Sequence, residues 1–78
     1  MAVLRLFASA REAAGTGRDE IDAPTVELVL DEAVRRYGPQ FARVLEGSRV
    51  WLNGEPAVPS TAVCPGDEVA VLPPVSGG

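Results

Sequence analysis

The chain has 78 residues, 46% of them hydrophobic and 23% charged, which is the composition of one small folded domain too short to enclose a deep substrate cavity. It contains no His, one Cys and no Lys, all seven basic residues being Arg, so zinc sites of His and Cys, Ser-His-Asp triads and Cys-His dyads are excluded by inventory. The net charge of −4 opposes the basic footprint of a nucleic-acid binder and favours a protein partner with a basic face.

From Val3 to Ala8 the residues are apolar and β-favouring, interrupted by Arg5. Alternation sends Leu4 and Leu6 to one face and Val3, Arg5 and Phe7 to the other. Ser9 is placed to cap a short helix over Ala10 to Ala14, which Gly15 ends, and a second strand is expected around Glu20, Ile21 and Asp22. Thr25 then precedes a periodic run in which Val26, Val29, Leu30, Ala33, Val34 and Tyr37 form one stripe. It is a good N-cap. Glu27 in the first turn and Arg35 and Arg36 in the last suit the helix dipole, and Gly38 with Pro39 stops the helix.

Phe41, Val44 and Leu45 allow a short helical turn before Gly47. Val50, Trp51 and Leu52 make a strand ending at the hairpin dipeptide Asn53-Gly54, with at most a short edge strand over Pro56 to Pro59. Because Arg49 belongs in water, alternation puts Trp51 on its side and turns Val50 and Leu52 inward. Pro65-Gly66 marks a turn, and Glu68 to Leu72 forms the last strand. The pattern is α+β: a single sheet with one long helix laid across one face. No apolar run approaches the roughly 18 residues that cross a bilayer, and a lone Cys64 cannot staple the domain internally. A cytoplasmic location away from membranes is therefore expected.

The ending Leu72-Pro73-Pro74-Val75-Ser76-Gly77-Gly78 is the most informative stretch. Two prolines end the strand and favour an extended exit. Extended residues span about 3.3 to 3.6 Å each, so Val75 to Gly78 reach roughly 13 Å beyond the body. Glycines without Cβ let the final carboxylate pass a constriction in another protein. The expected organisation is a domain over residues 1–74 and an extended tail over 75–78, with the main-chain carboxylate of Gly78 as the reactive group.

Phe7-Ala8 followed by Ala10-Arg11-Glu12 and Gly15, Thr25-Val26-Glu27 opening the helix, Asn53 after a strand, Gly66-Asp67-Glu68-Val69-Ala70 and the Pro-Pro-Val-Ser-Gly-Gly ending together resemble the ThiS/MoaD family of sulfur carriers. The likeness is greatest to its MoaD branch, the small subunits of molybdopterin synthase, and covers nearly the whole chain. One departure is that the family's large aromatics before the prolines are here Val71 and Leu72.

The resemblance implies a ubiquitin-like β-grasp fold, with a mixed sheet, one long helix across one face and a flexible Gly-Gly tail. It further implies a protein that is not an enzyme on its own. A MoeB-type enzyme uses ATP to adenylate Gly78, a sulfurtransferase converts it to a thiocarboxylate, and Pro73, Pro74, Val75, Ser76 and Gly77 lead it into a MoaE-like large subunit. Sulfur then passes to the cyclic pterin precursor of the molybdenum cofactor. No metal and no bound cofactor are expected on the carrier itself.

Strand parity adds a docking surface: Phe7, Trp51 and Leu72 rimmed by Arg5 and Arg49, since interface cores favour aromatics and Arg. Cys64 reads as an incidental thiol, and Asp67-Glu68 as a polar turn. Arg11-Glu12 reads as a solvated helix face. Three alternatives stay open, namely a carrier for thiamine or cysteine biosynthesis, a ubiquitin-like protein modifier, and a non-catalytic binding module.

Overall fold

The structure, a computed structural model, describes residues 1–74. The expectations for Val75, Ser76, Gly77 and Gly78 lie outside the described residues. Five strands form one sheet: β1 (Ala2–Leu6), β2 (Arg18–Ile21), β3 (Arg49–Leu52), β4 (Glu55–Pro56) and β5 (Glu68–Leu72), in the order β2-β1-β5-β3-β4. The first and last strands are parallel neighbours in the middle of the sheet, and the remaining pairings are antiparallel. Three helices accompany them: α1 (Ala8–Ala14), α2 (Val26–Tyr37) and α3 (Pro39–Glu46). This is the ubiquitin-like β-grasp arrangement, with a mixed sheet as expected.

One face of the sheet makes the core. Ala2, Leu4, Leu6, Ile21, Val69 and Val71 are buried there against Val26, Val29 and Ala33 of α2, Phe41 of α3 and Ala10 of α1. Val50 and Leu52 pack against the same cluster, so inward parity holds on all three central strands. The ring of Phe41 meets Tyr37 edge-on at 5.3 Å between centroids, which is the favoured geometry for aromatic pairs.

Helix α2 starts as expected, with the Leu28 N–H donating to Thr25 Oγ1. The N–H groups of Val26 and Glu27 donate to the carbonyls of Thr61 and Pro59. Three of its initial donors are thus satisfied by the chain itself.

Four local expectations need correction. Strand β1 stops at Leu6 rather than Ala8, because the Phe7 carbonyl already accepts from the Ala10 and Arg11 N–H groups. For the same reason Phe7, not Ser9, occupies the N-cap of α1, and Ser9 stands inside the first turn. The segment after Gly38 is a full helix rather than a single turn. Gly38, at φ +95°, breaks α2, and Pro39 then sits at the first position of α3, where its missing N–H costs nothing. Finally, the edge strand is Glu55–Pro56, beginning one residue before the Pro56 to Pro59 window and ending at its first residue. The long helix across the sheet is therefore joined by two shorter ones.

Candidate functional site

The chain leaves the sheet after Leu72, at the end of its central strand. Strand β5 lies between β1 and β3, so a chain leaving at Leu72 has structured surface on both sides. The outer face is read off the register in rows. Arg18, Arg5, Ala70 and Trp51 follow one another from β2 to β3, and Leu72 stands beside Arg49 in the next row. Arg5, Arg49, Trp51 and Leu72 therefore share the face turned away from the helices, at the end from which Pro73 emerges. Phe7 follows directly after β1 at that end and is 39% exposed, close to the 37% of Leu72. Trp51 is half-buried. The structure brings together the five residues read from parity as a docking surface.

Pro73 and Pro74 belong to this surface as well. An open groove of about 330 Å³ runs between Gly47, Arg49, Trp51, Leu72, Pro73 and Pro74. A Cβ on Gly47 would stand 4.0 Å from Pro74 Cγ, in ordinary contact, so the turn after α3 flanks the root of the tail. Trp51 and the two prolines give the groove an apolar floor, and Arg49 gives it a charged edge.

The start of β5 is held by a polar clamp that sequence reasoning assigned to a simple turn. Asn53 Nδ2 donates to Asp67 Oδ1 at 3.0 Å, and Asn53 Oδ1 accepts from the Glu68 N–H at 2.9 Å. Asp67 Oδ2 accepts from the Cys64 N–H at 2.8 Å, and the Asp67 carbonyl accepts from the Val3 N–H at 2.8 Å. These bonds tie β5 to both neighbours and so fix which residues face one another at its far end. The Cys64 N–H, followed by the Asn53 amide, holds the Asp67 carboxyl below its ordinary pKa. Asn53 sits at φ +50°, a conformation Asn tolerates better than most side chains.

Cys64 is exposed and precedes β5, whereas the tail follows it. The thiol and the root of the tail lie at opposite ends of one strand. Among the described residues no cluster of three or more His, Cys, Asp or Glu is arranged to hold a metal ion, and no helix is long and apolar enough to cross a membrane.

Arg11 and Arg18 also reach this end of the molecule, lining one depression with Arg5 and Phe7. Alternation about the inward Ile21 puts Arg18 outward, but only the pairing of β1 with β2 shows which residue it faces.

Comparison with known proteins agrees with the fold. The ThiS family pattern matches residues 4–78. Small archaeal modifier protein 1 of Haloferax volcanii is 38% identical over 95% of this chain and 97% of its own length. The molybdopterin synthase sulfur carrier subunit of Arabidopsis thaliana is 37% identical over 94% of this chain and 78% of its own. The crystal structure of the Haloferax protein superposes with a TM-score of 0.82 at 36% identity, covering 99% of this chain and 98% of that one.

Proposed function

This chain belongs to the ThiS family of sulfur carriers and ubiquitin-like modifiers, and we propose that it is the sulfur-carrying small subunit of a molybdopterin synthase. The observation that carries the reading is the placement of Leu72-Pro73-Pro74 at the end of the central strand, beside an apolar face edged by arginines. From there the sequence continues as Val75-Ser76-Gly77-Gly78. The Arabidopsis relative, named for this role, supports the assignment.

The chemistry follows from the carboxylate. A free carboxylate is a poor electrophile because its leaving group would be oxide or hydroxide. In the proposed cycle the Gly78 carboxylate attacks the α-phosphorus of ATP on a MoeB-type enzyme, forming an acyl-adenylate and releasing pyrophosphate. A sulfurtransferase delivers sulfur at the sulfide level to the acyl carbon, the C–O bond to AMP breaks, AMP leaves, and a thiocarboxylate remains. The loaded carrier docks on a MoaE-like large subunit through Phe7, Trp51 and Leu72, threads its tail, and gives sulfur to the cyclic pterin precursor. The large subunit supplies the catalytic side chains, so the carrier alone is not an enzyme. Building a dithiolene takes repeated loading, which requires the spent carrier to leave. The reading places the cycle in the cytoplasm, where ATP is available.

A second reading has its own observation. The Haloferax relative is named as a modifier, and the same activated carboxylate attacked by an amine instead of sulfur yields an amide. This chain has no Lys, so as a modifier it does not extend itself through a side-chain isopeptide bond. Mass spectrometry of the protein purified from its native host separates the two. Replacement of one oxygen by one sulfur at Gly78 supports the carrier, covalent adducts with other proteins support the modifier, and the unmodified mass alone rejects both.

A further inference from the structure

The outer sheet face is divided by charge along its strands. One row sets Glu20 and Glu68 on either side of Val3, and the next sets Arg18 beside Arg5, with Arg49 one row further on. The arginines of this face stand at the end where the tail departs, and its acids stand at the other.

Arg5 and Arg18 are direct cross-strand partners, a like-charge pairing that destabilises a sheet. Their ion pairs with Glu68 at 3.6 Å and Glu20 at 3.5 Å are loose and exposed, the kind that contribute little. Arg11 joins them from α1. A Cβ on Gly17 would approach its Cδ to 3.5 Å and its Nε to 3.6 Å, so the Arg11 side chain lies along the backbone just ahead of β2. Arg5, Arg11 and Arg18 line one open depression of about 440 Å³ with Phe7, Thr16 and Gly17. Three of the seven arginines of a chain with net charge −4 thus converge on one exposed concavity.

We infer that this concavity is a carboxylate-binding site that receives an acidic segment of the protein on which the carrier docks. The inference rests on the proposed function, which supplies that docking partner. Its physical basis is that Arg5 and Phe7 belong to the concavity and to the docking face alike. A partner seated on Phe7 and Leu72 removes Arg5 from water, and its one loose contact with Glu68 at 3.6 Å does not replace the hydrogen bonds that water gave its guanidinium, whose burial is then costly. The partner therefore meets it with acid.

Guanidinium groups pair with carboxylates through two parallel hydrogen bonds, and a short acidic segment supplies separate carboxylates for separate arginines. An extended phosphate backbone fits poorly, because Glu20, Glu68 and the negative net charge repel it. The chain's total charge points to a basic partner, whereas this end of the docking face selects an acidic one.

The test uses the host's purified large subunit as the probe and compares binding of the native chain, R11E, R18E and a charge-matched control, R43E on α3. Binding should weaken at least about tenfold in R11E and R18E, with slower association and a flatter salt dependence, and change less than about twofold in R43E. The thermal midpoint of R18E should not fall, because the substitution also removes the like-charge pairing with Arg5. Unchanged binding by R11E and R18E overturns the inference and leaves the carrier reading standing. A native chain that carries no thiocarboxylate in its host and binds no large subunit overturns the carrier reading, and this inference with it.

Discussion

Leu72 stands directly opposite Arg49 across the β3–β5 ladder, and the next residue is Pro73, where the ladder ends. A protein that takes in the tail must therefore pass over this pair. Replacing Leu72 with Asp puts a charge at the centre of the docking face, and is expected to weaken association with the large subunit by at least about 1.4 kcal/mol, tenfold in affinity. At 37% exposure the side chain contributes little to the core, so circular dichroism should show the native fold. Phe7→Asp should behave similarly. Native affinity in both variants would remove this face from the docking model.

Deleting Gly78, or adding one residue after it, is expected to abolish sulfur transfer in a reconstituted synthase. Either change moves the terminal carboxylate away from the position in which an adenylating site holds it. Among the described residues the core cluster reaches no further along the chain than Val71. Unfolding free energy should therefore change by no more than the roughly 0.5 kcal/mol typical of surface substitutions, leaving the thermal midpoint nearly unchanged. Sulfur transfer retained at the native rate by both variants would exclude Gly78 as the loaded group.

Phe41 is fully buried and meets Tyr37 edge-on. Truncation to Ala leaves a cavity beneath α3, at a cost of about 3 to 5 kcal/mol. A domain of this length has little stability to lose. Phe41→Ala is therefore expected to be largely unfolded at 37 °C, with the loss read from urea denaturation. A midpoint near the native one would mean that α3 is not part of the core.

The same residue shows where the sequence was legible and where it was not. Alternation on β1, β3 and β5 carries its own phase, because Arg5, Arg49 and Glu68 must face water, and the phase turns Leu4 and Leu6, Val50 and Leu52, and Val69 and Val71 inward. Thr25 announced α2 through its side chain. Gly38-Pro39 was ambiguous, since a Gly-Pro pair ends one helix as readily as it opens another. Only the burial of Phe41 shows that it does both. Ser9 failed as a cap because the Phe7 carbonyl begins the helix earlier. The arginine cluster lay beyond a single-sequence reading. Arg5, Arg11 and Arg18 come from two strands and a helix, and their meeting depends on the β1–β2 register.

Acid sensitivity follows from three carboxylates whose bonds stabilise the charged form: Asp19, Asp67 and Glu32, the last lowered by its bonds to Arg35 and then Arg36. Asp19 accepts the Tyr37 hydroxyl and the Arg36 guanidinium, and its pKa lies below the ordinary value of 3.8, chiefly through the Tyr37 bond. Asp67 is lowered in the same direction by the Cys64 N–H and then Asn53. In all three, the unfolded chain binds the proton more tightly, so their stabilisation is complete above the unfolded value and lost as pH falls through the lowered folded one.

Tyr37 works in the opposite sense. Burial, and then the bond to Asp19, push its pKa up to about 12, so its contribution is complete below the ordinary tyrosine value of about 10 and is lost as pH rises beyond it. The thermal midpoint should be flat from about pH 5 to about pH 9 and fall below about pH 4. Asp67→Asn and Tyr37→Phe should each lower the plateau and make the acid limb shallower. The first removes one titrating group, and the second returns Asp19 toward its ordinary pKa. An acid limb that keeps its native slope in both variants would assign the transition to other carboxylates.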